Sequence, residues 1–190
     1  IAIPMKGRLM HSTNEELTFQ PYGKEGQAIY SVSRALLNEL LMEEAEKGGV
    51  KYHFEQQCES VDSKNGAIEF SEADGEKYEV DADIIFGTDG AFSAVRSTFL
   101  KRDRFSYSQK YLSHGYKELE IKPGSDGNFQ MEENVLHIWP RGEYMLIALP
   151  NPDKTFTLTL FFPFEGNTSF ASLASDEKIL DFFEKQFPDA

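Results

Sequence analysis

The sequence lacks the features that would assign it at once to several common classes of protein. Cys58 is the only cysteine among 190 residues, which excludes an intramolecular disulfide and suits a reducing, cytoplasmic setting. Lysine and arginine number 19 against 32 acidic residues, and the net charge of −13 argues against nucleic-acid binding and against electrostatic docking to an anionic membrane. No apolar run approaches the roughly 18 residues of a membrane span. The four histidines show no metal-ligand spacing, so we expect no metal site.

Glycine-rich nucleotide loops are also missing. Neither a Gly-x-Gly-x-x-Gly loop after a strand nor a Walker-type loop occurs, and Gly23 and Gly26 have the wrong spacing for either. The first residues show neither an initiator methionine nor a signal-peptide pattern. We therefore expect the chain to be the central part of a longer protein.

The first residues predict an extended segment and then a helix. The segment runs from Ile3 to His11, and Ser31 or Ser33 is suited to cap the helix that follows. Because its apolar residues recur at helical spacing, we expect them to pack in the core. These residues are Leu36, Leu37, Leu40, Leu41 and Ala45.

Short strands and one further helix are predicted up to residue 100. Apolar alternation predicts a strand at 50–54, and the Asn-Gly and Asp-Gly pairs at 65–66 and 74–75 are typical of hairpin turns. The apolar run 84–86 predicts a strand buried on both faces, followed by a helix at 93–100.

The second half predicts an antiparallel sheet. Four consecutive strands are expected at 110–121, 135–139, 144–149 and 155–162. A last helix begins near Ser175 and is expected to turn four residues inward: Ile179, Leu180, Phe183 and Phe187. The fold class is therefore α/β (α+β), with a boundary near Arg104.

The most informative motif is Gly87-Thr88-Asp89-Gly90, directly after the apolar run. The glycines allow a sharp turn and a close approach to a ligand, and Asp89 stands where α/β proteins place ligand-binding groups. An ordinary Asp-Gly turn is the alternative.

Taken together, the motifs resemble the class A FAD-dependent aromatic hydroxylases, and within them the kynurenine-hydroxylating branch. The resemblance covers nearly the whole chain. Its segments include 3–8, 21–23, 31–34, 87–93, 104–109, 114–119 and 136–141. The resemblance implies that residues 1–104 are part of a Rossmann-like FAD-binding domain, with 1–25 contributing to the substrate site. Residues 105–190 would form the substrate domain, an antiparallel sheet with a C-terminal helix.

The resemblance also implies the chemistry. FAD would be the cofactor, NADPH the reductant and O2 the oxidant, with oxygen reaching the ring of L-kynurenine, or a similar aromatic amino acid, through a flavin C4a-hydroperoxide. No side chain would be catalytic in the covalent sense, because the cofactor carries the chemistry. Since the opening glycine loop is missing, we expect the chain alone neither to retain FAD nor to turn over.

Five residues receive roles from this resemblance. Arg8 and Tyr22 would hold the amino-acid carboxylate of the substrate, a task suited to the planar fork of arginine. Arg34 and Asp89 would contact FAD, and the backbone at Cys58 would line the FAD pocket. An anionic partner would also explain a cation in the first turn of a helix, as at Arg34.

Two other functions remain open at the level of sequence. A related hydroxylase could act on another aromatic acid, and a non-catalytic binding or dimerising module could use the 16 phenylalanines in an exposed apolar patch. Unpaired strand edges could also allow homo-oligomers. His137, Trp139 and Phe162 are expected in the core or in the pocket wall of the substrate sheet.

Overall fold

The structure is a computed structural model that describes residues 2–190, and it divides into two compact units. One unit holds the chain up to Glu44 together with Tyr111–Ala190, and the other holds Ala45–Lys110. The strands are β1 Ala2–Met5, β2 Gly7–His11, β3 Leu17–Pro21, β4 Ile29–Val32, β5 Gln57–Asp62, β6 Ala67–Ser71, β7 Lys77–Asp81, β8 His114–Ile121, β9 Leu136–Arg141, β10 Tyr144–Pro150 and β11 Phe156–Pro163. The helices are α1 Arg34–Lys47, α2 Ala94–Leu100 and α3 Asp176–Gln186, with a 3₁₀ turn at Phe170–Ser172.

The first unit is built on a six-stranded sheet in the order β3-β2-β9-β10-β11-β8. All neighbours are antiparallel except β2 and β9, which run parallel. The four predicted strands of the second half are confirmed, and the α/β (α+β) class is confirmed by this mixed sheet with its helices. A separate two-stranded pair joins β1 and β4.

The core of this unit lies on one face of the sheet. Strand β11 alternates buried and half-buried residues, and its buried side faces α3 and the 3₁₀ turn. Trp139 and Phe162, expected in the core or pocket wall, are fully buried in the core. The buried apolar cluster is Trp139, Leu146, Ala148, Phe156, Leu158, Leu160, Phe162, Phe182 and Phe187.

Helix α3 begins as predicted, but only part of its predicted inward face is covered. Ser175 caps it by accepting a hydrogen bond from the backbone N–H of Lys178. Phe182 is buried, whereas Ile179 and Leu180 are exposed. The prediction that Phe183 and Phe187 face inward is confirmed, because both pack on the core. The prediction that Ile179 and Leu180 face inward is wrong, because the Phe182 ring takes the covered position beside Phe187 over the sheet.

The second unit is a three-stranded antiparallel sheet, β5-β6-β7, with α2 packed against β5. Both predicted hairpin turns are confirmed, at Gly66 and Gly75, and both glycines take the left-handed conformation that such turns require. The backbone N–H of Val61 donates to Thr98 Oγ1 at 3.3 Å and ties β5 to the helix.

Three predictions of burial are wrong. Residues 84–86 form no strand, and Ile84 and Phe86 are 74% and 85% exposed. The segment 50–54 likewise forms no strand, and the leucines of α1 are not buried. An apolar pattern predicts that a segment will be covered, but a strand also needs a partner, and no strand among residues 2–190 pairs with either segment.

Candidate functional site

Arg8 and Tyr22 lie next to each other at the edge of the six-stranded sheet. Arg8 stands in β2, Tyr22 directly follows β3, and the guanidinium carbon of Arg8 is 5.4 Å from the centre of the Tyr22 ring. The backbone N–H of Tyr22 donates to the carbonyl of Lys6 at 3.1 Å. The two residues assigned to one carboxylate are therefore brought together.

Gly7 makes this approach possible. A β-carbon at Gly7 would collide with the backbone oxygen of Gln20 and come within 2.6 Å of the Phe19 ring. Only glycine lets β3 lie this close to β2. The close packing of β3 on β2 thus explains why glycine stands at the centre of the Lys6-Gly7-Arg8 motif.

Arg8 projects from the sheet face opposite to the core, and its neighbours there are apolar. Strand register places it beside Leu136, while Met10, Ile138 and Ile147 form a row across three strands of the same face. All four neighbours are half-buried. We call Met10, Leu136, Ile138 and Ile147 the apolar platform.

The sequence analysis missed the apolar platform. Strands β9 and β10 carry apolar residues on both faces, as in Leu136–Trp139 and Leu146–Leu149, whereas a wet face would alternate with polar residues. That absence of alternation is the signal that could have indicated a second apolar face.

Arg34 reaches the far end of the same sheet face. The row continues from Ile147 through Thr159 to Glu118 on β8, and an Arg34 guanidinium N–H donates to Glu118 Oε1 at 3.0 Å. From β2 to β8 there are four strand spacings, or roughly 19 Å. The two arginines therefore stand on one face with room for planar ring systems between them.

A cavity of about 950 Å³ surrounds the start of α1. Ser33 caps the helix by accepting from the N–H of Leu36 at 3.4 Å, which confirms the second of the two predicted caps. Arg34 is the one cation among the described residues that line the cavity, and its side chain is 87% exposed. A cation this exposed contributes little as a surface ion pair but remains available to a phosphate.

Asp89 organises the turn in the second unit. Its carboxylate accepts from the Ser93 hydroxyl at 2.6 Å and from the backbone N–H of Val95 at 3.2 Å. The Ser93 hydrogen bond is the main cause that holds the pKa of Asp89 below its usual value, so the carboxylate is charged at neutral pH. Gly90 takes φ +76°, and Arg96 donates to the carbonyls of Gly90 and Ala91.

Cys58 is half-buried in β5. Burial, then the charges of Asp89 and Glu59, raise the pKa of its thiol. The thiol is therefore protonated and unreactive at neutral pH, which fits a role for the backbone rather than for sulfur. Asp89, Gly87, Gly90 and Arg96 line a cavity of about 500 Å³ in this unit.

Within residues 2–190, no group of three or more His, Cys, Asp or Glu side chains is arranged to hold a metal ion. No helix in the same range combines the length and apolarity needed to cross a bilayer.

Known proteins match the chain over most of its length. Residues 5–135 match the family described as FAD binding domain. The chain is 52% identical to kynurenine 3-monooxygenase of Dictyostelium discoideum and 48% identical to kynurenine 3-monooxygenase of Flavobacterium johnsoniae. Both matches cover 100% of this chain but only 41% and 43% of those proteins. The chain therefore spans about two fifths of the length of these curated relatives.

A solved structure shares the fold. A flavoprotein/dehydrogenase from Cytophaga hutchinsonii superposes with a TM-score of 0.70 at 11% identity, over 98% of this chain and 46% of that one. The resemblance inferred from the sequence motifs is confirmed by the curated relatives, and the fold by this structural likeness.

Proposed function

The chain belongs to the family of FAD-binding domains, and from this premise we propose that it works as part of an FAD-dependent monooxygenase. The proposed reaction uses NADPH and O2 to hydroxylate L-kynurenine to 3-hydroxykynurenine. The observation that carries the proposal is the arginine–tyrosine pair beside the apolar platform, in a chain whose relatives bear the name kynurenine 3-monooxygenase.

The donor set fits FAD in kind. Arg34 offers a largely exposed guanidinium, which suits a phosphate of the cofactor. The Asp89 carboxylate has spare lone pairs after accepting from Ser93 and Val95, and these suit a cofactor hydroxyl. In the unit that holds Asp89, the backbone at Cys58 would also contact the cofactor.

The apolar platform and Arg8 fit the two ends of an aromatic amino acid. The Arg8 fork would hold the carboxylate by two charge-assisted hydrogen bonds, and the Tyr22 hydroxyl would donate a third. The substrate ring would lie on the apolar platform, whose half-buried side chains exclude water from that face. Substrate and Arg34 would then share one face of the sheet.

When bound, FAD supplies the reductive activation of O2 and the oxygen transfer, which amino-acid side chains cannot perform. The residues of this chain hold and orient the substrate and the cofactor. Arg8 and Tyr22 fix the carboxylate of the substrate. The distance between that carboxylate and the aromatic ring of the substrate then determines where the ring lies on the apolar platform.

The assignment of parts of the chain to an FAD-binding domain and a substrate domain is also a proposal. Residues 1–104 would contribute to the FAD-binding domain and 105–190 to the substrate domain, with 1–25 serving the substrate site. The inclusion of β2 and β3 in the same sheet as β8–β11 supports the last point. We further propose a cytoplasmic setting, in keeping with the single Cys58.

The test is NADPH oxidation by the gene product with its natural termini, with and without L-kynurenine, together with identification of the product. Kynurenine-stimulated oxidation with 3-hydroxykynurenine formed would support the proposal. Stimulation by another aromatic acid alone would favour a related hydroxylase. A protein that never binds FAD would favour a non-catalytic module, and the exposed Ile84, Phe86 and Phe92 would then be its apolar contact residues.

A further inference from the structure

Four buried or half-buried side chains form a hydrogen-bonded network that the proposed chemistry does not use. His11 Nδ1 is 2.5 Å from Asp189 Oδ2, and His11 Nε2 is 2.9 Å from His137 Nδ1. Trp139 Nε1–H donates to Asp189 Oδ1 at 2.9 Å, and its ring system stacks on His11 at 4.0 Å between centroids. His137 Nε2 lies 2.8 Å from the carbonyl of Glu132. We call His11, His137, Trp139 and Asp189 the histidine network.

Donor and acceptor roles fix the protons of this network. The Glu132 carbonyl can only accept, so His137 Nε2 carries a proton. Burial lowers the pKa of His137, against the raising effect of that hydrogen bond, so its Nδ1 is left as an acceptor for His11 Nε2–H. Burial alone would raise the pKa of Asp189, but hydrogen bonds from His11 and Trp139 outweigh it and hold that pKa below its usual value. His11 therefore bridges the Asp189 carboxylate and the His137 ring through its two ring nitrogens.

The histidine network holds the strand that carries Arg8. His11 is the last residue of β2, three residues after Arg8. Strand β2 pairs with β9 through only three residue pairs, one of which sets Leu9 beside His137. An Arg141 N–H also donates to the carbonyl of His11 at 3.0 Å.

The two faces of β2 therefore make different contacts. Leu9 and the histidine network lie on the core side, and Arg8 lies on the opposite side beside Leu136. A shift of His11 along β9 would move Arg8 by the same amount relative to the apolar platform. The parallel pairing of β2 with β9 spans only three residues of each strand, so few backbone hydrogen bonds between the two strands oppose such a shift.

We propose that His11, His137 and Asp189 are positioning residues for Arg8: the His11–Asp189 hydrogen bond and the imidazole–imidazole hydrogen bond fix β2 on β9 and so place the carboxylate-binding guanidinium. This inference rests on the proposed function. An alternative, purely structural network would contribute stability without any selective effect on the substrate carboxylate.

The test is a double-mutant cycle in the FAD-loaded gene product with its natural termini, read by calorimetric titration with L-kynurenine. Asp189→Asn keeps the shape of the side chain but removes its charge, so we expect the Kd to rise about tenfold, as small misplacements of a binding group do. In the Arg8→Gln background the same substitution should change the Kd less than twofold. Asp126→Asn, the same change at a hydrogen-bonded carboxylate in an exposed loop, is the matched control and should leave the Kd unchanged.

Each outcome decides a different point. An equal rise in Kd with and without Arg8, or no rise at all, would overturn the positioning role while leaving the proposed function intact. A wild-type protein that does not bind L-kynurenine would overturn the proposed function and the inference together. If Asp189→Asn does not melt cooperatively, Trp139→Phe, which removes one donor to Asp189, takes its place in the same cycle with the same expected direction.

Discussion

Replacing Arg8 by glutamine should weaken substrate binding strongly without unfolding the protein. No acidic side chain among residues 2–190 forms an ion pair with Arg8, and the residue is exposed on its strand. Its loss therefore leaves no buried charge unpaired, and the free energy of unfolding should change by no more than about 0.5 kcal/mol.

The expected size follows from the hydrogen bonds that the guanidinium would make. Two charge-assisted bonds at the lower end of their range, about 1.5 kcal/mol each, amount to about 3 kcal/mol. Because about 1.4 kcal/mol corresponds to a factor of ten, the Kd for L-kynurenine should rise roughly 100-fold. The Kd for NADPH and the FAD content should stay as in the wild type.

Equilibrium titration of the FAD-loaded gene product with L-kynurenine, paired with thermal melting, measures both quantities. The matched control is Arg102→Gln, which removes an exposed arginine whose guanidinium carbon also lies 4.8 Å from an aromatic ring centre, that of Phe99. Unchanged binding in Arg8→Gln, or an equal loss in Arg102→Gln, would refute the assignment of Arg8 to the carboxylate.

Three further perturbations test other parts of the account. Gly7→Ala should cost about 1–3 kcal/mol of stability in urea unfolding, by overpacking against Gln20, and should raise the substrate Kd through Tyr22. Wild-type stability and normal binding in Gly7→Ala would argue against the close β2–β3 approach. Because burial lowers the pKa of His137, its stabilising contribution is complete above the ordinary pKa of about 6.5 and is lost as pH falls toward the folded value. Urea midpoints at decreasing pH should therefore fall less steeply in His137→Gln, and an identical slope would contradict the assigned cause. The 190-residue chain alone, mixed with FAD and desalted, should keep no visible flavin absorbance, and a stoichiometric yellow product would contradict that expectation.

Local signals predicted those parts of the fold whose partners are near in sequence. The turns at Gly66 and Gly75 follow from Asn-Gly and Asp-Gly, and the alternation in β11 predicts a sheet with one buried face. The parallel pairing of Arg8 with Leu136 joins distant segments, and no local period contains it.

The same limit explains the errors. Ile84–Phe86 has the composition of a buried strand. An apolar run predicts that other residues will cover the segment, but it does not identify a neighbouring strand that could pair with it. On α3, helical spacing placed Phe183 and Phe187 correctly, but it also assigned Ile179 and Leu180 to the core, where Phe182 packs instead.

The candidate site was predictable only in part. The pairing of Arg8 with Tyr22 was expected from the family resemblance, and the structure brings the two side chains together. The apolar platform requires the register of β2, β9 and β10, and the link between His11 and Asp189 spans 178 positions. The missing polar alternation in β9 and β10 indicates a second apolar face, but neither the partners across the strands nor the link to Asp189 can be read from local sequence.

The most direct measurement is a crystal structure of the FAD-loaded gene product with L-kynurenine. The account predicts the substrate carboxylate within hydrogen-bond distance of the Arg8 guanidinium and the Tyr22 hydroxyl, with the ring over Ile138 and Ile147. A carboxylate bound elsewhere, with Arg8 facing solvent, would contradict it.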